Sequence, residues 1–184
     1  MKKAISIAVI IIIGILLLLL IPFRTDNNKL VAYFSATGNT RGVAESLAMA
    51  IRADIFEITP ETLYTSDDLN WRNDKSRSSV EMSDRNSRPI IANKLTDMSK
   101  YKYVFIGFPI WWGREPAIID TFIESYDFAG KTIIPFATSG STPTTDEAAQ
   151  DIRALAPNAN VLTGKRFPTD VSIGELKTWG NEQM

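Results

Sequence analysis

The chain contains no histidine and no cysteine. Without an imidazole or a thiol, Ser-His-Asp and Cys-His nucleophile systems, ordinary zinc sites, disulfides and redox thiols are all excluded. It also lacks an excess of either charge, with 20 basic and 21 acidic residues. That balance leaves no electrostatic footprint for nucleic acid. A chain so short of reactive side chains, if it does chemistry, borrows its reactive atoms from a bound group.

What is present begins with an ordinary globular composition. The 184 residues are 45% hydrophobic and 22% charged, enough for one domain with a sizeable core and a short appendage. The appendage is "AISIAVIIIIGILLLLLIPF", residues 4–23, directly after Lys2 and Lys3. At ~1.5 Å per residue it spans roughly 30 Å, the hydrocarbon thickness of a bilayer. The pattern predicts a transmembrane signal anchor over 1–23, a linker over 24–28 and a folded domain over 29–184. The apolar run exceeds the ~7–15 residues of a secretory signal core, and no small-x-small cleavage site follows it. Lys2 and Lys3 ahead of the run place the N-terminus in the cytoplasm and the domain outside it. A cleaved signal peptide and the inverted topology are the alternatives. Without those two lysines the count is 18 basic against 21 acidic residues, or -3.

Within the domain, "KLVAYFS" (29–35), "YVFIGFP" (103–109) and "TIIPFATS" (132–139) are near-continuous apolar runs. Such runs belong to parallel strands covered on both faces. The weaker runs "DIFEIT" (54–59) and "NVLTG" (160–164) suit sheet edges, and Pro135 predicts a bulge or a locally unpaired edge. Between them lie helical patterns. Val43, Leu47 and Ile51 mark the first; Pro116 opens a second carrying Ile119, Phe122, Ile123 and Tyr126. Pro143, Asp146 and Glu147 start a third with Ile152 and Leu155. Alternating strands and helices predict a doubly wound α/β sheet. Residues 60–101 are too long for a plain connection, and a short helix is expected within "PIIANKLTDM" (89–98). The polar stretch before it reads either as a solvated excursion or as a lid over a ligand. In the C-terminal "SIGELKTWGNEQM", Ile173 and Leu176 could dock a short last helix.

The corner after the first strand carries Ser35, Thr37, Gly38, Asn39 and Thr40. In an open α/β sheet ligands sit beyond the carboxyl ends of the strands, where a helix N-terminus also favours an anion. The lysine of a nucleoside-triphosphate loop and the spacing G-x-G-x-x-G are both missing. A neutral, hydroxyl-rich pocket for a phosphomonoester remains, against the plainer alternative that these groups only cap the helix. At the same edge Pro109, Ile110, Trp111, Trp112 and Gly113 offer indoles for stacking on a planar ring, or for ordinary packing. Trp111 is expected in first contact, with Trp112 packed below it. Thr138, Ser139 and Gly140, with Ser141 and Thr142, form a third polar loop.

Together these stretches resemble the flavodoxin family. Its phosphate-loop pattern, T/S-x-T-G-x-T, is matched by Ser35-Ala36-Thr37-Gly38-Asn39-Thr40. Its ring-flanking loop is matched by "GFPIWWG" (107–113) and its third loop by "ATSGST" (137–142). "DLNWRNDKSR", "PIWWG" and "KTIIPFATSG", in that order, are similar to one branch of flavodoxin-like proteins, and the resemblance covers roughly residues 29–168. It implies a five-stranded parallel sheet in the order 2-1-3-4-5 and flavin mononucleotide (FMN) as cofactor, held by the three loops. It also implies low-potential electron transfer to a redox partner protein or a small-molecule acceptor, without metal. The chain departs from simple carriers in its weak acidic balance, in a third loop without a stacking tyrosine, and in the 60–101 excursion. An FMN-dependent NAD(P)H oxidoreductase reducing quinones or nitro compounds is the alternative, with Trp71, Arg72 and Arg77 shaping its substrate pocket. A cofactor-free adaptor that retains the fold is a second.

Overall fold

The three continuous apolar runs form the centre of one parallel sheet. The computed structural model describes residues 27–139 and 144–184; the expected anchor over 1–23 lies outside them. In chain order the elements are β1 (Lys29–Tyr33), α1 (Asn39–Ile51), β2 (Asp54–Glu57), α2 (Arg77–Ser83), β3 (Tyr103–Pro109) and α3 (Ala117–Glu124). They continue with β4 (Thr132–Thr138), α4 (Asp146–Leu155), β5 (Asn160–Val161), β6 (Lys165–Phe167) and α5 (Ile173–Glu182). The strand order is β2-β1-β3-β4-β5 and every pairing is parallel. The order matches expectation, but five strands is one too few, because β6 also pairs with β4.

Alternation along the strands builds two cores. Leu30, Ala32, Val104, Ile106 and Ile133 face one way, onto Ile118, Ile119 and Phe122 of α3 and Ile152 of α4. Val31, Tyr33, Phe105, Ile134 and Phe136 face the other way, onto Val43, Leu47 and Ile51 of α1 and Leu176 and Trp179 of α5. Parallel strands buried on both faces need apolar residues at every position, which is why their runs are unbroken.

Pro135 sits in register with Ile106 and makes no bulge. On its other side β5 pairs only with Thr132 and Ile133, and β6 only with Phe136 to Thr138. The residue without an N–H thus falls at the gap between two short partners, the locally unpaired edge that proline demands. Gly164 bridges the gap so closely that a Cβ there would meet the Pro135 carbonyl oxygen at 2.5 Å.

The excursion differs from expectation. Residues 89–98 form no helix; Ile91 makes an antiparallel bridge with Pro60, and Ala92 N–H donates to Thr59 at 2.8 Å. The Asn93 side chain accepts from Thr59 N–H at 3.1 Å and donates to the Glu57 carbonyl at 2.7 Å. Leu95 N–H is taken by the Tyr126 hydroxyl at 2.7 Å. Side chains and a neighbouring strand end satisfy this backbone, so a helix has nothing to add. The helix lies earlier, as α2, with Ser76 Oγ accepting from Ser79 N–H at its start.

Candidate functional site

The corner after β1 leaves the start of α1 without a side-chain cap. Gly38 occupies the N-cap of α1 with φ +91°, a left-handed conformation that favours glycine. A Cβ there would meet nothing within 4 Å, so the backbone angle and not crowding requires the glycine. No side chain caps the helix and no acidic residue lies in its first turn. Gly42 N–H donates to Gly38 at 3.1 Å, and no described group accepts from Asn39, Thr40 or Arg41 N–H ahead of it. Orphan donors at a helix start are the usual anion site. The capping alternative is therefore not realised. Ser35 Oγ accepts from Gly38 N–H at 3.1 Å and tightens the loop. The buried Thr40 hydroxyl pairs with that of Thr138 at 2.8 Å, tying the first loop to the end of β4. Thr37 and Asn39 stand exposed beside it.

The loop after β3 makes a tight turn. Trp111 N–H donates to Arg114 at 2.9 Å and Arg114 N–H returns to Trp111 at 3.0 Å. Trp112 and Gly113 between them have φ of +47° and +89°. Both central angles are positive, as in a type I′ turn, which glycine, asparagine and aspartate normally fill. A tryptophan held there is strained by about 1–3 kcal/mol. The packing of the two indoles differs from expectation, although both face one cleft. Trp112 is not packed below; it is 49% exposed, whereas Trp111 packs edge-to-face on Phe34 at 5.6 Å.

Ser35, Thr37, Thr40, Pro109, Ile110, Trp111, Trp112 and Gly113 line one cleft of about 500 Å³. Gly38 and Asn39 stand next to lining residues in the chain but not on the wall, Thr138 touches it only through the Thr40 hydroxyl, Ser139 is not on it, and Gly140 lies outside the described residues. The excursion adds a further wall through Leu69, Trp71 and Ser78. Of these Leu69 and Trp71 carried a signal in the sequence, as large apolar groups in a polar stretch, and Ser78 carried none.

Tyr64 holds that wall in place. Its ring meets Trp111 at 5.3 Å and Phe34 at 5.7 Å, both edge-to-face. Its hydroxyl donates to Glu81 at 2.5 Å, while Arg77 pairs with Glu81 at 2.6 Å and lies over the Tyr64 ring at 4.0 Å. Burial first, and then the hydrogen bond to Glu81, push the phenol far above its ordinary range, so it remains a neutral donor.

Behind the turn lies a buried charge cluster that the sequence did not mark. Arg114 is 5% exposed, Glu115 fully buried and Asp120 2% exposed. Arg114 donates to Glu115 Oε1 at 2.8 Å and to Asp120 Oδ2, and its Nε lies 3.3 Å from Asp151. Arg88 reaches Asp120 at 3.7 Å and Arg85 binds Asp151 and Glu147. Glu115 Oε2 and Asp120 Oδ1 are buried without a described partner. Burial outweighs Arg114 and, with Asp120 adding to it, pushes Glu115 up to about 8; Asp120 is also raised by burial. Among the described residues no acidic group is clustered to hold a metal ion.

Comparison with known proteins matches this geometry to a family. A flavodoxin family model covers residues 28–183. A protein assigned as a flavoprotein from Bacteroides uniformis ATCC 8492 is 47% identical, with 83% of this chain covering 97% of that one at a TM-score of 0.79. A second, from Bacteroides eggerthii DSM 20697, is 42% identical over 84% and 96% of the two chains, also at 0.79. A flavoprotein from Lactobacillus acidophilus NCFM, solved in complex with FMN, shares the fold at 21% identity and a TM-score of 0.62, covering 83% and 98%. Curated protein sequences give no match. With the match spanning nearly the whole described chain, and the sheet order and cleft placed as above, this protein belongs to the flavodoxin family.

Proposed function

We propose that the protein binds one FMN in the cleft between the β1, β3 and excursion walls and passes electrons at low potential. The observation that carries this reading is the conjunction, in one cleft, of an uncapped helix start and an indole rim. The donor set fits the group. N–H groups of Asn39 and Thr40, with the hydroxyls of Ser35, Thr37 and Thr40, suit a terminal phosphate without a full countercharge. Trp111 and Trp112 give apolar faces for a ring, and Thr138 and Ser139 border it from the next strand. FMN supplies the redox chemistry when bound; the chain binds it, orients it and limits water. A Thr37→Ala/Thr40→Ala protein should bind FMN weaker by on the order of 2 kcal/mol or more, since a hydrogen bond to a charged group contributes roughly 1.5–3 kcal/mol. Titration of the detergent-solubilised full-length chain reads this as a Kd raised about thirtyfold. An unchanged Kd would remove the phosphate from this corner.

A second reading, an FMN-dependent NAD(P)H oxidoreductase for quinones or nitro compounds, is favoured by one observation, the excursion wall that encloses the cleft. Anaerobic stopped-flow mixing with NADPH separates the two. Rapid bleaching without another protein supports the reductase, and slow bleaching the carrier, whose partner is then a redox protein.

We further propose that the apolar run at 4–23 anchors the chain in a membrane, uncleaved, with the N-terminus cytoplasmic and the flavin domain outside. The run and the preceding Lys2 and Lys3 support it. Among the described residues no helix is long and apolar enough to cross a membrane. Protease added to intact spheroplasts should degrade the domain. A protected, membrane-bound full-length chain would reverse the topology, and a soluble form starting near Arg24 would show cleavage.

A further inference from the structure

We infer that Trp71 forms one face of the slot that holds the cofactor ring, so that the ring lies between the excursion and the loop after β3. The inference rests on the FMN reading above.

Trp71 lines the cleft together with Trp111 and Trp112, yet 64% of its surface is exposed. An indole left this open in a loosely held loop would mean little. This loop is held firmly. The Asp68 carboxylate accepts from both the N–H and the hydroxyl of Thr65, at 2.9 and 2.7 Å. Asp68 carbonyl accepts from Ser78 N–H at 3.0 Å, and Asn73 N–H donates to Asn70 at 2.9 Å. Asn70 Oδ1 further accepts from Arg72 N–H at 3.2 Å. Through Tyr64 the same segment is pinned to Trp111.

The faces of the ring are also divided. The Arg72 guanidinium lies over Trp71 at 4.8 Å and covers one side. The other side is left for a planar partner, and among the described residues no aromatic ring touches it. Trp111 spends its edge contacts on Phe34 and Tyr64 and turns its remaining surface to the cleft. A planar ring has two faces, and the strand-end loops supply indoles on one flank only; residues 137–145 contain no aromatic group. The excursion provides the opposing one. Stacking between two indoles removes both ring faces from water, which favours the flat, apolar part of a ligand over its polar tail. Ser78 adds a polar contact from the same wall. It is 2% exposed, lines the cleft, and its hydroxyl has only a long 3.5 Å contact to Ser76.

The test uses full-length protein in detergent, titrated with FMN and followed by the visible flavin band and by tryptophan fluorescence. Trp71 is exposed and packs against no core side chain, so Trp71→Ala and Trp71→Phe should both fold, with unchanged urea midpoints. Trp71→Ala should raise the Kd at least tenfold and shift the flavin band. Trp71→Phe should restore most of the affinity, and the quenching lost with the indole should measure its share. Wild-type affinity and an unshifted band in Trp71→Ala would overturn the inference. So would unchanged FMN affinity combined with weaker binding of a planar quinone, which would place Trp71 against an acceptor. Failure of the wild-type chain to take up FMN would overturn the FMN reading itself and this inference with it.

Discussion

An Arg114→Met protein should lose about 3–5 kcal/mol of unfolding free energy at pH 7, because it leaves two buried carboxyl groups without their guanidinium. The methionine keeps the length and apolar stem of the arginine, so the loss reports charge and not volume. It should shrink as the pH falls below the ordinary values of both carboxyls, 4.5 for Glu115 and 3.8 for Asp120, where both are neutral in the folded and unfolded states alike. A loss below about 1 kcal/mol at pH 7 in urea unfolding would mean that water reaches the cluster. The companion Glu115→Gln protein tests the pH dependence directly. Glu115 rises from its ordinary 4.5 to about 8 on folding. Between those values the folded state holds a proton that the unfolded state has released, so this group's contribution is full below pH 4.5 and falls as pH rises to 8. Asp120, also raised, acts in the same direction. The nearby Glu124 is lowered by its hydrogen bonds to Arg88 and so contributes in the opposite sense, at lower pH. The difference in stability between wild type and Glu115→Gln should therefore fall by on the order of a few kcal/mol across this window. A pH-independent difference would show that Glu115 is already ionised in the fold.

A Trp179→Ala protein should lose a similar amount, about 3–5 kcal/mol, through cavity formation in the core. Trp179 is 7% exposed and meets Phe105, Phe136 and Phe167 edge-to-face, at 5.7, 6.4 and 5.0 Å. It fastens α5 to the sheet, while Gly180 lets that helix close on α1; a Cβ there would meet Ile51 at 2.6 Å. Thermal unfolding should shift down by roughly 10 °C, at about 2–4 °C per kcal/mol for a domain of this size. A shift under about 3 °C would mean that α5 packs without it. FMN binding by the folded fraction should hardly change, because the residue is on no wall of the cleft.

The central strands were legible because burial on both faces imposes continuous apolar runs, and α1, α3 and α4 because their apolar stripes keep helical spacing. The last helix carried its own marks: Ser172 caps Glu175 N–H, and Leu176 is buried, but Ile173, the other residue expected to dock, is 51% exposed. Residues 89–98 misled because spacing alone is blind to side chains such as Asn93 that take over backbone hydrogen bonds. α2 was missed for the converse reason, being a short helix started by Ser76 in a segment that reads as solvated. At the site, polar and aromatic residues at strand ends could be assigned to one edge from the alternation of elements. Their order in depth could not: Trp111 and Trp112 are identical in composition, and only the signs of their φ angles separate them. The Arg114–Glu115–Asp120 cluster was invisible, since charged residues read as surface unless something shows that they pair.

The left-handed Trp112 sets stability and use against each other. Glycine at that position would relax the turn, so a search for variants that merely survive heat would tend to discard the indole. Thermostability and a filled cleft would then diverge among the survivors. Sorting such a library by FMN retention as well as by melting would keep the two apart, and position 112 would be where they conflict.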